Sequence, residues 1–212
     1  MSEQPFIPPA KPVIEEVDIE AAVRVLRSGM VVQGPEVKAF EDEFCEVTGS
    51  AHCVAVNSGT SALQLGLIAL GIGPGDEVIV PSFTFAASAN AIKLVGAEPV
   101  FVDIEPGSFC LDPAAVRAAI GPKTAAIMPV HLYGHPADMT AINEIAKAHN
   151  LLVLEDAAQA HGAAIDGKPV GGLGDAGAFS FYPTKNMHSL EGGMVSTNSA
   201  ETARTIRLLR NQ

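Results

Sequence analysis

"ADMTAINEIAKAHNLLVLEDA", residues 137–157, decides the fold. Its first fourteen residues read as a helix. Then "LLVL" is continuously apolar, without the alternation of a strand that has one wet face. A strand of that kind needs helices on both faces. It ends on two carboxylates, Glu155 and Asp156.

The same rhythm runs outward in both directions. "HCVAV" (52–56) predicts a strand, "NSGTSALQLGLIALG" a helix and "DEVIVP" a strand. "TFAASANAIKLVG" reads as a helix and "EPVFVDI" as a strand. "DPAAVRAAI" is a helix with Asp112 as N-cap and Pro113 in its first turn. "TAAIMPVHL" (124–132) completes the alternation as a strand. Strict strand–helix alternation implies right-handed crossovers and a largely parallel sheet, an α/β architecture. Two helices precede it, one over 14–29 with Val17, Ala21, Val25 and Leu26 on one side, and one with Val37, Phe40 and Phe44. Residues 1–12 are Pro-rich and read as an extended arm, with 13–212 as one domain. After Gly162 the strands shorten to "AGAFSFYP" and "GGMVSTN", and a last helix starts at Ala200. That helix ends without a glycine cap, as expected of a domain severed from a further one.

The 212 residues carry a formal charge of −11, which argues against nucleic acid or an anionic membrane as partner. Cys45, Cys53 and Cys110 form no CxxC pair, which favours a reducing compartment. The N-terminus lacks the pattern of a signal peptide, and no apolar run reaches the ~18 residues of a membrane span. A cytoplasmic protein is expected.

Three groups fall where strands end, which is where open parallel sheets bind ligands. "NSGTSAL" (57–63) joins a strand to a helix. Gly59 permits close backbone approach, and the amides of Thr60 and Ser61 at a helix N-terminus suit a phosphate; an ordinary N-cap would look the same. The chain has no GxxxxGK[ST] loop and no GxSxG elbow. A carboxylate at the end of a buried strand needs a metal, an arginine, a cationic ligand or a structural ion pair. Glu155 and Asp156, as neighbours, face opposite ways. Lys185, in "SFYPTKN" (180–186), is either a solvated turn residue or a desolvated amine able to form a Schiff base. A phosphate cradle, a buried carboxylate and a positioned lysine are together the anchors of a pyridoxal 5′-phosphate site. His131 and His135 are separated by helix-breaking Gly134 and, with His161, read as pocket or turn residues, so no metal is expected. "GKPVGGLGDAGA" follows no dinucleotide-binding pattern.

"NSGTSAL", "GDEVIVPSFTFAASANAI", "GAEPVFVDI", "PVHLYG", "LEDAAQAHGA", "GAFSFYPTKN" and "EGGMVSTN" resemble, in order and spacing, the DegT/StrS-type sugar aminotransferases. The resemblance implies the three-layer large domain of fold-type-I pyridoxal-phosphate-dependent transferases. It implies that Lys185 forms the internal aldimine and shuttles the proton, and that Asp156 pairs with the pyridinium nitrogen. Gln159 would contact the ring hydroxyl and Phe85 the ring face. Thr60, Ser61 and Ser180, with Gly59 beside them, would hold the phosphate. Glutamate or glutamine would donate the amine to a keto group of a nucleotide-linked sugar, in polysaccharide or antibiotic sugar biosynthesis, and the enzyme would be a homodimer. Relatives that dehydrate carry histidine in place of this lysine, so Lys185 favours amino transfer. The resemblance leads to the expectation that the small C-terminal domain, with its "GYNxR"-like stretch, is absent, and it places Leu190 where many relatives have glycine. The readings open on this basis are an aminotransferase, a coenzyme-binding or regulatory module without turnover, and another pyridoxal chemistry such as dehydration or sulfur transfer.

Overall fold

The computed structural model describes residues 6–8 and 10–211. The expected arm therefore lies partly outside the described residues, and residues 10–12 have no regular structure. Helix α1 (Glu16–Ser28) opens with a capping box between Glu15 and Asp18 and stops at Gly29, whose φ of 72° is left-handed. Helix α2 (Pro35–Thr48) starts on a proline and also ends on a left-handed glycine, Gly49. The alternating unit comes next: β1 (His52–Val56), α3 (Gly59–Ala69), β2 (Glu77–Pro81), α4 (Ala86–Leu94), β3 (Glu98–Val102), α5 (Pro113–Ala119), β4 (Thr124–Ile127), α6 (Met139–His149) and β5 (Leu152–Asp156). The chain continues through the short strands β6 (Ala164–Ile165) and β7 (Lys168–Pro169), then β8 (Ala176–Ser180), β9 (Gly193–Thr197) and α7 (Ala200–Arg210).

One seven-stranded sheet has the order β1-β9-β8-β5-β4-β2-β3. Strands β3, β2, β4, β5 and β8 pair in parallel, and β9 runs antiparallel to both β8 and β1. The mostly parallel α/β sheet expected from the alternation is present.

The pleat explains the continuously apolar strands. On one face Val78, Val80 and Leu154 pack with Leu63 and Leu67 of α3, Ile92 of α4 and Ile206 of α7. On the other, Ile79, Ile127 and Val153 pack with Val116 of α5 and Ile142 and Ile145 of α6. Phe44 of α2 covers the far end of that second face with Phe179, Phe181 and Met194. Both neighbours in each pair of strand residues are thus buried, one per face, giving three layers.

One expectation changes, and two features go beyond the sequence reading. Strand β4 ends at Ile127 instead of reaching residue 132, because Pro129 has no N–H to donate. Beyond it the chain only bridges β5 at Val130 and Asp156, then turns through Leu132–Gly134. The segment "AIDGKP" forms a hairpin, β6 with β7, around Asp166 and Gly167, both with positive φ (49° and 76°). An Asp-Gly pair is a strong local hairpin signal. Finally, α1 buries none of its residues; its apolar stripe leaves Val17 61% and Leu26 69% exposed. Among the described residues no helix is long and apolar enough to cross a membrane.

Candidate functional site

The carboxyl ends of β1, β2, β5 and β8 open on one cavity of about 640 Å³. Its walls include Gly59 and Thr60 from the start of α3, Phe85 from the start of α4, Asp156 at the end of β5 with Gln159 beyond it, and Ser180 at the end of β8 with Lys185 beyond it. Seven of the eight residues singled out from the sequence are therefore brought together. Ser61 is not among the described residues that line this cavity.

The N-cap of α3 is Ser58, one position ahead of the glycine. Its Oγ accepts from the Ser61 N–H at 3.1 Å and donates to Ser61 Oγ at 3.0 Å. The Ser61 N–H is thereby committed to the cap, while its hydroxyl keeps a proton to donate. The amides with no intrahelical acceptor at the cavity wall belong to Gly59 and Thr60. A Cβ at Gly59 would lie 2.6 Å from Ser180 Cβ, so only glycine lets α3 start against the end of β8. Gly193 performs the same service from β9, where a Cβ would meet the Ser58 carbonyl oxygen at 2.2 Å.

Asp156 is 5% exposed. Its Oδ2 accepts from Ser88 Oγ at 2.7 Å and its Oδ1 from the Ala158 N–H at 3.2 Å. Burial pushes its pKa above the usual carboxylate range, opposed by the Ser88 and Ala158 hydrogen bonds and by Lys185. Lys185 moves the other way: burial lowers its pKa and the Asp156 charge opposes this. Lys185 lies in a tight turn in which its N–H donates to the Tyr182 carbonyl at 2.9 Å. Gln159 Oε1 accepts from the Tyr133 N–H at 2.7 Å, which turns its amide nitrogen into the donor available to a ligand. Phe85 is the α4 N-cap residue and is 72% exposed, with its ring at the cavity rim.

Glu155 goes elsewhere. It is fully buried, and its carboxylate accepts from His131 Nε2 at 2.9 Å and from the N–H groups of Gly171, Leu173 and Gly174 at 2.8, 2.8 and 2.7 Å. His131 Nδ1 accepts from the Ala137 N–H at 3.0 Å, so the ring proton is on Nε2 and points at Glu155. Glu155 thus has a structural role as a buried hydrogen-bond acceptor, and the glycine-rich run at 171–174 supplies most of its donors.

Beyond Lys185 a second, more open cavity of about 630 Å³ is lined by Tyr133, Gln159, His161 and Asn186 among others. His161 Nδ1 pairs with Asn186 Oδ1 at 2.8 Å, and its ring lies against Phe179 and Phe181 with centroids 5.5 and 5.3 Å away. Burial lowers its pKa. The three cysteines are free, and burial raises the thiol pKa of Cys53 and Cys110, which makes them poor nucleophiles. Ser58, Thr84, Ser88 and Thr184 also belong to this region, although the sequence did not single them out. Ser58 was legible as a cap one residue before a helix; Ser88 offered only a hydroxyl inside an apolar helix.

The chain is 55% identical, over 91% of its length and 53% of the relative's, to the erythromycin biosynthesis sensory transduction protein EryC1 of Saccharopolyspora erythraea. It is 50% identical to the dTDP-3-amino-3,4,6-trideoxy-alpha-D-glucose transaminase of Streptomyces venezuelae, over 99% of this chain and 57% of that one. Among solved structures, the PLP-form of Spr1654 from Streptococcus pneumoniae superposes with a TM-score of 0.90 at 35% identity, over 96% of this chain and 57% of that one. The chain thus spans a little over half the length of these relatives. Residues 12–212 match the DegT/DnrJ/EryC1/StrS aminotransferase family. With that match and these identities, the chain belongs to the DegT/DnrJ/EryC1/StrS aminotransferase family.

Proposed function

We propose that this chain forms the coenzyme-binding large domain, residues 13–212, of a pyridoxal 5′-phosphate-dependent aminotransferase. The amine would pass from glutamate or glutamine to a keto group on a nucleotide-linked sugar. One observation carries the reading: Lys185 and Asp156 share a cavity in which burial pushes both toward their neutral forms, opposite a helix N-terminus.

The residues present fit the coenzyme. Close packing of Gly59 on Ser180 and of Gly193 on Ser58 sets the start of α3 against β8, with Gly59, Thr60 and Ser180 on the cavity wall. That donor set suits a phosphate at the positive end of a helix. Ser61, held by Ser58, backs this wall. Asp156 is a buried carboxylate suited to a cationic ring nitrogen, Gln159 offers an N–H to the ring hydroxyl, and Phe85 provides an apolar cover. Bound there, pyridoxal phosphate would supply an electron sink for negative charge at the carbon that carries the amine. Lys185 would hold the aldehyde carbon through its Nζ and, when released, carry a proton to and from the substrate carbon. A lowered lysine pKa serves both tasks, because only the neutral amine is a nucleophile or a base.

The sugar substrate is supported by the relative from Streptomyces venezuelae, a dTDP-sugar transaminase. The exposed apolar residues of α1 and of Met30–Val32 support a homodimer. Free cysteines and a sugar-nucleotide substrate support the cytoplasm. The test is covalent. After incubation with pyridoxal phosphate and reduction with borohydride, the pyridoxyl mass is expected on the peptide containing Lys185. A label elsewhere, or none, sinks the proposal. Addition of glutamate before reduction then separates turnover, which prevents labelling, from coenzyme binding alone.

A further inference from the structure

Behind the cavity wall, α4 carries a hydroxyl with no part in the chemistry above. Ser88 is fully buried. Its Oγ lies 2.7 Å from Asp156 Oδ2, 3.2 Å from the Phe85 carbonyl oxygen and 2.8 Å from Thr84 Oγ1. A hydroxyl has one proton to donate. An ionised carboxylate is a stronger acceptor than a peptide carbonyl, and its contact is the shorter, so the Ser88 proton goes to Asp156. Thr84 is then the donor to Ser88, and its remaining acceptor capacity faces the cavity that Thr84 lines.

Helix propensity gives no reason for a serine here. Alanine would favour the helix more and would bury no polar atom. The hydroxyl has value only through its bonds.

We propose that Ser88 is a positioning residue for Asp156: its hydroxyl, oriented by Thr84, holds the Oδ2 edge of the carboxylate in its ionised form. The more weakly held Oδ1, with its single 3.2 Å bond from Ala158, is left to a ligand N–H. The proposal deepens the coenzyme reading and rests on it only for the identity of that ligand. Lys185, from the loop after β8, and His131, from the segment after β4, are the other titratable groups facing Asp156. His131 is committed to Ala137 and Glu155, so Lys185 is the cation that opposes Asp156 protonation alongside Ser88.

The decisive measurement uses the coenzyme-free protein. Carboxyl carbon NMR tracks Asp156 on acidification, its resonance assigned by its loss in Asp156→Asn. Ser88→Ala should raise the midpoint by about one unit or more, the effect of losing a hydrogen bond to a charged group. Thr84→Val should raise it by less, and Ser88→Thr should restore the wild-type value. Circular dichroism confirms that each variant folds. An unmoved midpoint in Ser88→Ala overturns the proposal, and Thr84→Val carries the same test should Ser88→Ala not fold. In a coenzyme titration Ser88→Ala should bind pyridoxal phosphate about tenfold more weakly, the counterpart of one lost unit. If the midpoint moves but wild type takes up no coenzyme, the function proposed above fails and the control of Asp156 by Ser88 stands.

Discussion

Glu155 and Asp156 are adjacent at the end of β5, yet the pleat sends them to opposite sides of the sheet. Glu155 is enclosed by His131 and three backbone N–H groups, while Asp156 lies on the cavity wall beside Ser88. Two carboxylates one residue apart thus have separate surroundings, one enclosed in the fold and the other facing the cavity. Each is open to a distinct perturbation.

Glu155→Ala should damage stability. It strands His131 and the amides of Gly171, Leu173 and Gly174 without an acceptor in a fully buried site. The expected loss is about 3–5 kcal/mol in urea unfolding, since each buried donor left without a partner costs about 1–3 kcal/mol. A loss below about 1 kcal/mol would show that water or a rearranged loop replaces the carboxylate.

Asp156→Asn should leave the fold and borohydride labelling of Lys185 in place. It should slow amino transfer on the order of hundredfold or more, measured as keto acid released from glutamate. Full activity in this variant would remove Asp156 from the proposed mechanism.

The same variant has a pH signature without coenzyme. Burial raises the folded-state pKa of Asp156 above its unfolded value. Between those two values the native state binds the extra proton, so this group's contribution to stability falls as pH rises through the window. Asp156→Asn should therefore melt higher than wild type at neutral pH, and the gain should shrink as the pH falls through that window toward the ordinary carboxylate value. For Lys185 the folded pKa is lowered, so the unfolded state binds the extra proton and stability rises with pH between the two values. Lys185→Met should flatten that alkaline rise. Scanning calorimetry across pH reads both slopes.

Leu190 is exposed and has a φ of 66°, in the left-handed region. A branched side chain there costs about 1–2 kcal/mol, part of which glycine returns as chain entropy on unfolding. Leu190→Gly should stabilise the protein by about 0.5–1 kcal/mol in denaturant titrations. A destabilised variant would mean that the leucine side chain makes contacts worth more than the strain.

Gly59→Ala places a methyl 2.6 Å from Ser180 Cβ. The expected cost is about 1–3 kcal/mol from overpacking, together with weakened affinity for pyridoxal phosphate as α3 is pushed off β8. Unchanged coenzyme affinity would argue against this wall as the phosphate cradle.

The sequence by itself determined the alternating elements, the burial of both strand faces, and the cluster of Thr60, Asp156, Ser180 and Lys185 at strand ends. These result from periodicity, caps and the rule that parallel strands deliver their carboxyl ends to one edge, all of which are local or topological. Only the tertiary structure decided that β9 reverses between β8 and β1, that α1 keeps its apolar stripe uncovered among the described residues, and that Glu155 binds His131 while Asp156 binds Ser88. Those partners lie 24 and 68 residues away along the chain. A serine or histidine carries no mark of which distant carboxylate it will meet. That meeting is set when the helices pack, where an unpaired buried charge costs several kcal/mol and so selects its partner.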